Sequence, residues 1–252
     1  MLPEKSWKTE SVLRLLLGVF VTICIGFLAA QAIVSFLPGL SDENSKLLSM
    51  ALVTISFHGA ALLWINFFLK SENLSWSEAF GFKAPRILRA LGLAVLSAIL
   101  VLPVAWGLQQ LSAWVMETIS ITFDWTQLKP EAQQVVQEIQ KKNVSPLQQV
   151  YFAVVALIAA PIVEEMLFRG ILYPTIKRAG HPKLALWGTS ILFALTHQNL
   201  PAFLPLVLFA IILTMLYEDT GNLLAPIIAH SCFNTANFIM LLFAKHFMQL
   251  TP

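Results

Sequence analysis

The sequence predicts an all-α membrane protein, a polytopic bundle of about seven transmembrane helices, within a range of six to eight. Of the 252 residues, 57% are hydrophobic and only 12% are charged, whereas soluble domains average about 45–50% apolar and about 25% charged residues. The apolar residues are gathered into runs that approach or exceed the length of about 20 residues needed to cross a bilayer. We therefore expect a single integral membrane domain over residues 1–252, in contact with the lipid bilayer.

Seven apolar segments account for the predicted helices. They cover residues 15–37, 47–69, 90–111, 150–173, 184–200, 203–217 and 223–243. The first three contain no Asp, Glu, Lys or Arg and are long enough to span a membrane. The fourth is long enough but contains charged residues, and the fifth and sixth are at the lower limit of length. The seventh again has the length of a full span.

The distribution of Lys and Arg predicts a cytoplasmic N-terminus. Cytoplasmic loops are enriched in these residues, and with the N-terminus inside, most of the Lys and Arg outside the apolar segments fall on the inner side. Our expected localisation is that of a multi-pass protein in the plasma (inner) membrane of a bacterium. The net charge of +2, without a block of basic residues, gives no indication of a nucleic-acid partner.

The only long polar connection, residues 112–149, is expected to be an extramembrane loop. It contains the sequence "EAQQVVQEIQKK", in which apolar residues recur at helical spacing. This pattern predicts a helix that lies in the membrane interface.

The fourth segment contains three charged side chains within "AAPIVEEMLFRG", residues 159–170. A charged residue in the middle of a membrane helix costs about 2.5–3.5 kcal/mol on insertion scales, so three of them would be unfavourable against lipid. Glu165 and Arg169 are four residues apart with the acid first, which is the favoured order for an ion pair on one helix face. Glu164 lies about 100° away around the helix and has no local partner. An unpaired carboxylate within a membrane is a candidate functional group.

Three further polar side chains lie in the later apolar segments. His197 is near the end of the fifth, and His230 and Asn234 share one face of the seventh. Each alone could be a packing residue, but together with Glu164 they are most easily accommodated in one internal cavity. Such a set could activate water, with Glu164 accepting its proton and a His and Asn pair donating to an oxyanion.

Zinc is the alternative cofactor for the same side chains. Glu164, His197 and His230 could bind Zn²⁺, because two His and one Glu form a known catalytic ligand set. The short zinc-protease motif, with two His four residues apart around a Glu, is absent. Metal-free and metal-dependent chemistry therefore both remain open.

In combination, these residues resemble the three motifs of the CAAX protease and bacteriocin-processing family, which includes the type II CAAX prenyl endopeptidases and abortive-infection-like proteins. The three motifs are Glu164-Glu165 with Arg169, Phe193 with His197, and His230 with Asn234. The stretch "YEDTGNLLAPIIAHSCFN" is similar to the third motif region over its whole length. The resemblance covers about residues 150–240, and the first 145 residues match only as generic membrane helices.

The resemblance implies an intramembrane endopeptidase, with its catalytic motif helices in residues 150–240. By this resemblance, Glu164 and His197 would activate the water, and His230 and Asn234 would stabilise the oxyanion. Glu165 and Arg169 would give structural support. The substrate would be a membrane-associated peptide or protein, prenylated for some members of the family. Two other hypotheses are a non-catalytic membrane immunity or scaffold protein that retains the pocket, and a transporter or proton relay built on Glu164 and the two His. The last lacks support, because the sequence shows no repeat of broken helices between its two halves.

Overall fold

The computed structural model describes residues 7–82, 87–141 and 144–250. These residues are almost entirely helical and contain no strand, which confirms the predicted all-α class. In chain order the helices are α1 (Thr9–Ser35), α2 (Asp42–Ser71), α3 (Trp76–Phe80), α4 (Ile87–Phe123), α5 (Gln134–Gln140), α6 (Pro146–Arg178), α7 (Pro182–Thr196), α8 (Leu200–Thr220) and α9 (Leu224–Leu250).

Six of the helices in the described part of the chain are long and apolar enough to cross a membrane. They are α1, α2, α4, α6, α8 and α9, which agrees with the expected range of six to eight. The fifth predicted segment forms α7, whose 15 residues are too few for a full span. A turn at His197 ends α7, and Asn199 then caps the N-terminus of α8 by accepting a hydrogen bond from the backbone N–H of Ala202.

The chain divides into two compact units, one ending at Phe80 and one beginning at Gly81. In the first unit, α1 packs against α2. A Cβ atom at Gly26 would lie only 2.1 Å from the side chain of Ser56, so glycine permits this close approach. Trp64 also donates a hydrogen bond to Thr22 across the same pair of helices. All of the predicted site residues belong to the second unit.

The core of the second unit forms where α8 and α9 pack against α4. The buried face of α4 consists largely of small residues, which let helix backbones approach closely within a membrane. This face and its partners include Ala90, Ala94, Val101 and Ala105 of α4, Phe209, Leu213 and Leu216 of α8, and Ala225, Ala229 and Phe233 of α9. The packing holds α8 and α9 side by side, and these two helices supply part of the site.

Two π-helical turns interrupt α6, at Val155–Ala159 and at Met166–Leu172. After each turn, a backbone N–H bonds the carbonyl five residues back, from Ala160 in the first case and from Tyr173 in the second. The next residue is proline in both cases, Pro161 and Pro174. Proline has no N–H and disturbs the regular hydrogen-bond ladder of an α-helix, which is consistent with a wider turn at these two places. The stretch of α6 between the two turns carries Glu164 and Glu165.

The polar segment after α4 is attached to one end of the second unit. α4 continues to Phe123, so the first part of the stretch 112–149 is helical. Gln133 then donates to the carbonyl of His197, Asn199 donates to the carbonyl of Glu131, and Lys245 donates to the carbonyl of Ile139. The segment therefore lies across the end of α7 and the start of α8, beside His197.

Candidate active site

Glu165 and Arg169 form a buried ion pair on α6. Arg169 Nη1 lies 2.8 Å from Glu165 Oε1, and the two side chains are 2% and 0% exposed. Arg169 Nη2 also donates to the carbonyl oxygen of Ala210 on α8, at 3.0 Å. The guanidinium lies 4.6 Å from the centre of the Phe193 ring of α7, a favourable cation–π contact. Arg169 thus connects α6 to both α7 and α8.

His230 of α9 lies between the two glutamates of α6. Its Nδ1 is 2.8 Å from Oε1 of Glu165, and its Nε2 is 3.9 Å from Oε2 of Glu164. The rings of Phe193 and Phe209 meet the imidazole edge-on, with centroids 5.7 and 5.5 Å away. The imidazole is therefore enclosed by two aromatic rings and by the carboxylates.

Glu164 differs from its neighbour in what surrounds its carboxylate. Its side chain is 18% exposed, and its buried oxygen Oε2 has no hydrogen-bond partner. Arg169 is directed to Glu165 instead, because the two are four residues apart on one helix face. A polar group that is buried without a partner is unfavourable, so this oxygen is suited to a ligand that can donate a hydrogen bond.

His197 stands at the C-terminal end of α7. Its Nδ1 is 2.8 Å from the carbonyl oxygen of Phe193. A carbonyl oxygen can only accept, so in the neutral ring we assign the hydrogen to Nδ1 and the lone pair to Nε2. The backbone carbonyl of His197 accepts from Gln133, which attaches the polar segment to this turn.

Asn234 of α9 bonds the main chain of α6 at its first π-helical turn. Its Nδ2 donates to the carbonyl oxygen of Ala156 at 2.8 Å. In the π-helical register this carbonyl would accept from the N–H of residue 161, because the preceding carbonyl, that of Val155, accepts from Ala160. Residue 161 is proline and has no N–H. The side chain of Asn234 supplies the missing donor, about two turns before Glu164.

The positions of the candidate zinc ligands bear on the alternative cofactor, Zn²⁺. Among the described residues, no group of three or more His, Cys, Asp or Glu side chains is arranged to hold a metal ion. Glu164, His197 and His230, the expected ligand set, therefore do not form a three-ligand site in this arrangement. The bond from Nδ1 of His230 to Glu165 leaves its Nε2 free, which is the usual arrangement of a histidine that binds a metal through its other nitrogen.

The structure brings five of the six predicted site residues into a connected set of contacts with α6. His197 is linked to this set through Phe193, whose ring contacts the rings of His197 and His230 and the guanidinium of Arg169. The sequence analysis did not identify the contact between Glu165 and His230 or the contribution of Phe209. Nothing in the sequence near these residues indicates either contact, because the partners lie on different helices and are far apart in the chain.

Residues 146–236 match the family described as type II CAAX prenyl endopeptidase Rce1-like. The matched region runs from the first residue of α6 into α9 and includes all six predicted site residues, which confirms the resemblance drawn from the motifs. Neither the curated proteins nor the solved structures gave a match.

Proposed function

We propose that the protein is an intramembrane endopeptidase of the CAAX type, because residues 146–236 match the Rce1-like family. It hydrolyses a peptide bond in a membrane-associated peptide or protein. Glu164 and His197 activate the attacking water, and His230 and Asn234 stabilise the oxyanion. The six apolar helices indicate that the reaction takes place in a multi-pass membrane protein.

The single observation that carries the proposal is the buried, unpartnered oxygen of Glu164 beside His230. The 3.9 Å between Glu164 Oε2 and His230 Nε2 is too long for a direct hydrogen bond. One water molecule between these atoms can contact both of them. Glu165 is already paired with Arg169, so Glu164 is the carboxylate that is available to this water.

Glu164 is the general base of the proposed reaction. It accepts a proton from the water while the water oxygen forms a bond to the peptide carbonyl carbon. It then returns the proton to the leaving amine when the carbon–nitrogen bond breaks. His197 assists through Nε2, which carries the lone pair because Nδ1 is bonded to the carbonyl of Phe193. This nitrogen accepts a hydrogen bond from the same water and orients it.

His230 and Asn234 supply the donors for the developing oxyanion. When His230 is protonated, its Nε2–H points to the side of Glu164, where the reacting carbonyl must lie. Asn234 uses one amide hydrogen on the carbonyl of Ala156, and its second hydrogen is available for the substrate oxygen. Removing one such donor lowers kcat by about 10²–10³ in a well-studied protease. The fixed orientation of the donors is what makes them effective.

Hydrolysis by the purified protein in lipid vesicles tests the proposal. The substrates are internally quenched peptides of two kinds, one carrying a prenylated C-terminal cysteine and one forming an unmodified transmembrane helix, with products identified by mass spectrometry. We expect Glu164→Gln, His197→Ala and His230→Ala to lose at least about 100-fold in turnover, the first two through loss of water activation and the third through loss of an oxyanion donor. Glu117→Gln is the matched control, because Glu117 is an exposed glutamate of α4.

Normal hydrolysis by Glu164→Gln would refute the assignment. If the wild-type protein cleaves neither kind of peptide and Glu164→Gln leaves the cellular phenotype intact, a non-catalytic immunity or scaffold role is favoured instead. Metal content and the effect of chelators on wild-type turnover, measured on the same preparation, decide between metal-dependent and metal-free hydrolysis.

A further inference from the structure

We infer that Glu165 is a positioning residue for His230, and that its ion pair with Arg169 serves this function in addition to bracing α6. The inference rests on the proposed function, in which His230 donates to the oxyanion. It assigns different tasks to two adjacent glutamates, one acting on the water and one acting on the imidazole.

A single oxygen of Glu165 makes both of its contacts. Oε1 lies 2.8 Å from Arg169 Nη1 and 2.8 Å from His230 Nδ1, while Oε2 has no hydrogen-bond partner. A carboxylate that only neutralised Arg169 could turn both oxygens toward the guanidinium fork, which is the usual bidentate geometry. Here the carboxylate is shared between the arginine and the imidazole.

His230 depends on this contact for its orientation. The side chain is 3% exposed, and the two rings that flank it, Phe193 and Phe209, offer no hydrogen-bond acceptor in their plane. An ionised carboxylate accepts only, so Glu165 requires a hydrogen on Nδ1. The bond therefore determines both the rotation of the ring and which nitrogen faces Glu164, in the way that second carboxylates orient catalytic histidines.

Arg169 holds the carboxylate of Glu165 in the position that this task needs. Its guanidinium is held in place by the carbonyl of Ala210 and by the face of the Phe193 ring. From this fixed position, Nη1 donates to Oε1 of Glu165 at 2.8 Å. A continuous series of contacts thus runs from α8 through Arg169 and Glu165 of α6 to His230 of α9.

A paired substitution separates positioning from bracing. Glu165→Leu with Arg169→Met replaces the buried ion pair by apolar side chains of similar volume, a change that is often neutral or stabilising for the fold. If Glu165 only braces Arg169, this variant keeps its activity. We expect instead that it folds and loses at least about 100-fold in kcat, with a smaller change in KM, because the substrate still binds.

The matched control removes an ion pair elsewhere on α6. Lys177 and Glu218 connect the C-terminal ends of α6 and α8, and Lys177→Met with Glu218→Leu should keep wild-type kcat. If the Glu165→Leu, Arg169→Met protein does not fold, the reverse choice, Glu165→Met with Arg169→Leu, provides a second packing of the same volume. Wild-type kcat in a folded variant of either kind would overturn the inference.

Nitrogen NMR of His230 provides a test that does not depend on activity. The chain contains five histidines, and His230→Asn identifies the resonances of this one in protein labelled with ¹⁵N-histidine. In the wild type we expect a protonated Nδ1, and in the paired variant the averaged signals of a ring that exchanges between tautomers. Unchanged His230 signals would overturn the inference even if turnover falls. If the wild type hydrolyses no peptide, the proposed function fails, while the NMR comparison still decides whether Glu165 positions His230.

Discussion

The bond from Asn234 to the carbonyl of Ala156 leads to a prediction about stability that can be tested with three variants. They are Asn234→Ala, Pro161→Ala and the combination of the two. Asn234→Ala leaves the carbonyl of Ala156 without a donor. Pro161→Ala gives residue 161 a backbone N–H, which can then donate to this carbonyl in the π-helical register, or allow the turn to become regular α-helix.

The size of the effect follows from the environment of the bond. Side-chain hydrogen bonds within membrane proteins contribute about 0.6 kcal/mol on average and up to about 1.7 kcal/mol. The amide of Asn234 donates to a main-chain carbonyl that has lost its helical partner, so we expect a contribution toward the upper end of this range. In the Pro161→Ala background the carbonyl of Ala156 has another donor. The decrease in the free energy of unfolding caused by Asn234→Ala should therefore be smaller there, by about 1 kcal/mol.

Reversible unfolding in mixed micelles of a mild detergent and SDS measures the four free energies of this double-mutant cycle. Asn237→Ala is the matched control, because Asn237 is an asparagine of the same helix that bonds Trp106 and the carbonyl of Phe233 instead. Its effect should add to that of Pro161→Ala. If the effects of Asn234→Ala and Pro161→Ala also add, within about 0.3–0.5 kcal/mol, Asn234 does not compensate for the proline.

Three further predictions concern stability. Arg169→Ala should lower the free energy of unfolding by about 3–5 kcal/mol and reduce turnover, because it removes the cationic partner of the buried Glu165 carboxylate; a normal melting temperature in detergent would contradict this. Glu164→Gln should melt at or above the wild-type temperature, with a free energy of unfolding that is higher by up to about 0.5–2 kcal/mol, while hydrolysis is lost. Gly81→Ala should lower the melting temperature, because φ is +71° and the added Cβ would lie 2.0 Å from the carbonyl oxygen of Gly221; unchanged melting would show that the contact can relax.

The fold could be predicted from the sequence to the extent that it depends on apolar length. Runs of about 20 apolar residues specify spanning helices because every backbone polar group must be satisfied within the helix. The exact ends depend on less visible signals. α4 continues to Phe123 although residues 112–123 include polar side chains, since nothing in that stretch breaks a helix. α7 remains short because the turn at His197 and the cap at Asn199 start a new helix.

The site could be predicted where its contacts are local. The pairing of Glu165 with Arg169 follows from their spacing on one turn of helix, and it singles out Glu164 as the carboxylate without a local partner. The contact of Glu165 with His230 joins residues far apart in the chain, and only the packing of α9 on α6 creates it. The bond from Asn234 to Ala156 depends on a carbonyl that is free only because of the π-helical register.

Because of the π-helical turn at Val155–Ala159, the alignment of the site depends on the number of residues in this part of α6 as well as on their types. A π turn is equivalent to one extra residue in an α-helix, so deleting a residue there would let α6 return to a regular register. The helix on either side of the turn would then keep its orientation. A residue inserted into the stretch has no such compensation and would rotate the segment before the turn by about 100° relative to Glu164, with every catalytic side chain still present. Single-residue insertions should therefore be as harmful as loss of a catalytic group, whereas a single deletion should be tolerated better, although the stretch itself, "VALIA", contains only apolar residues.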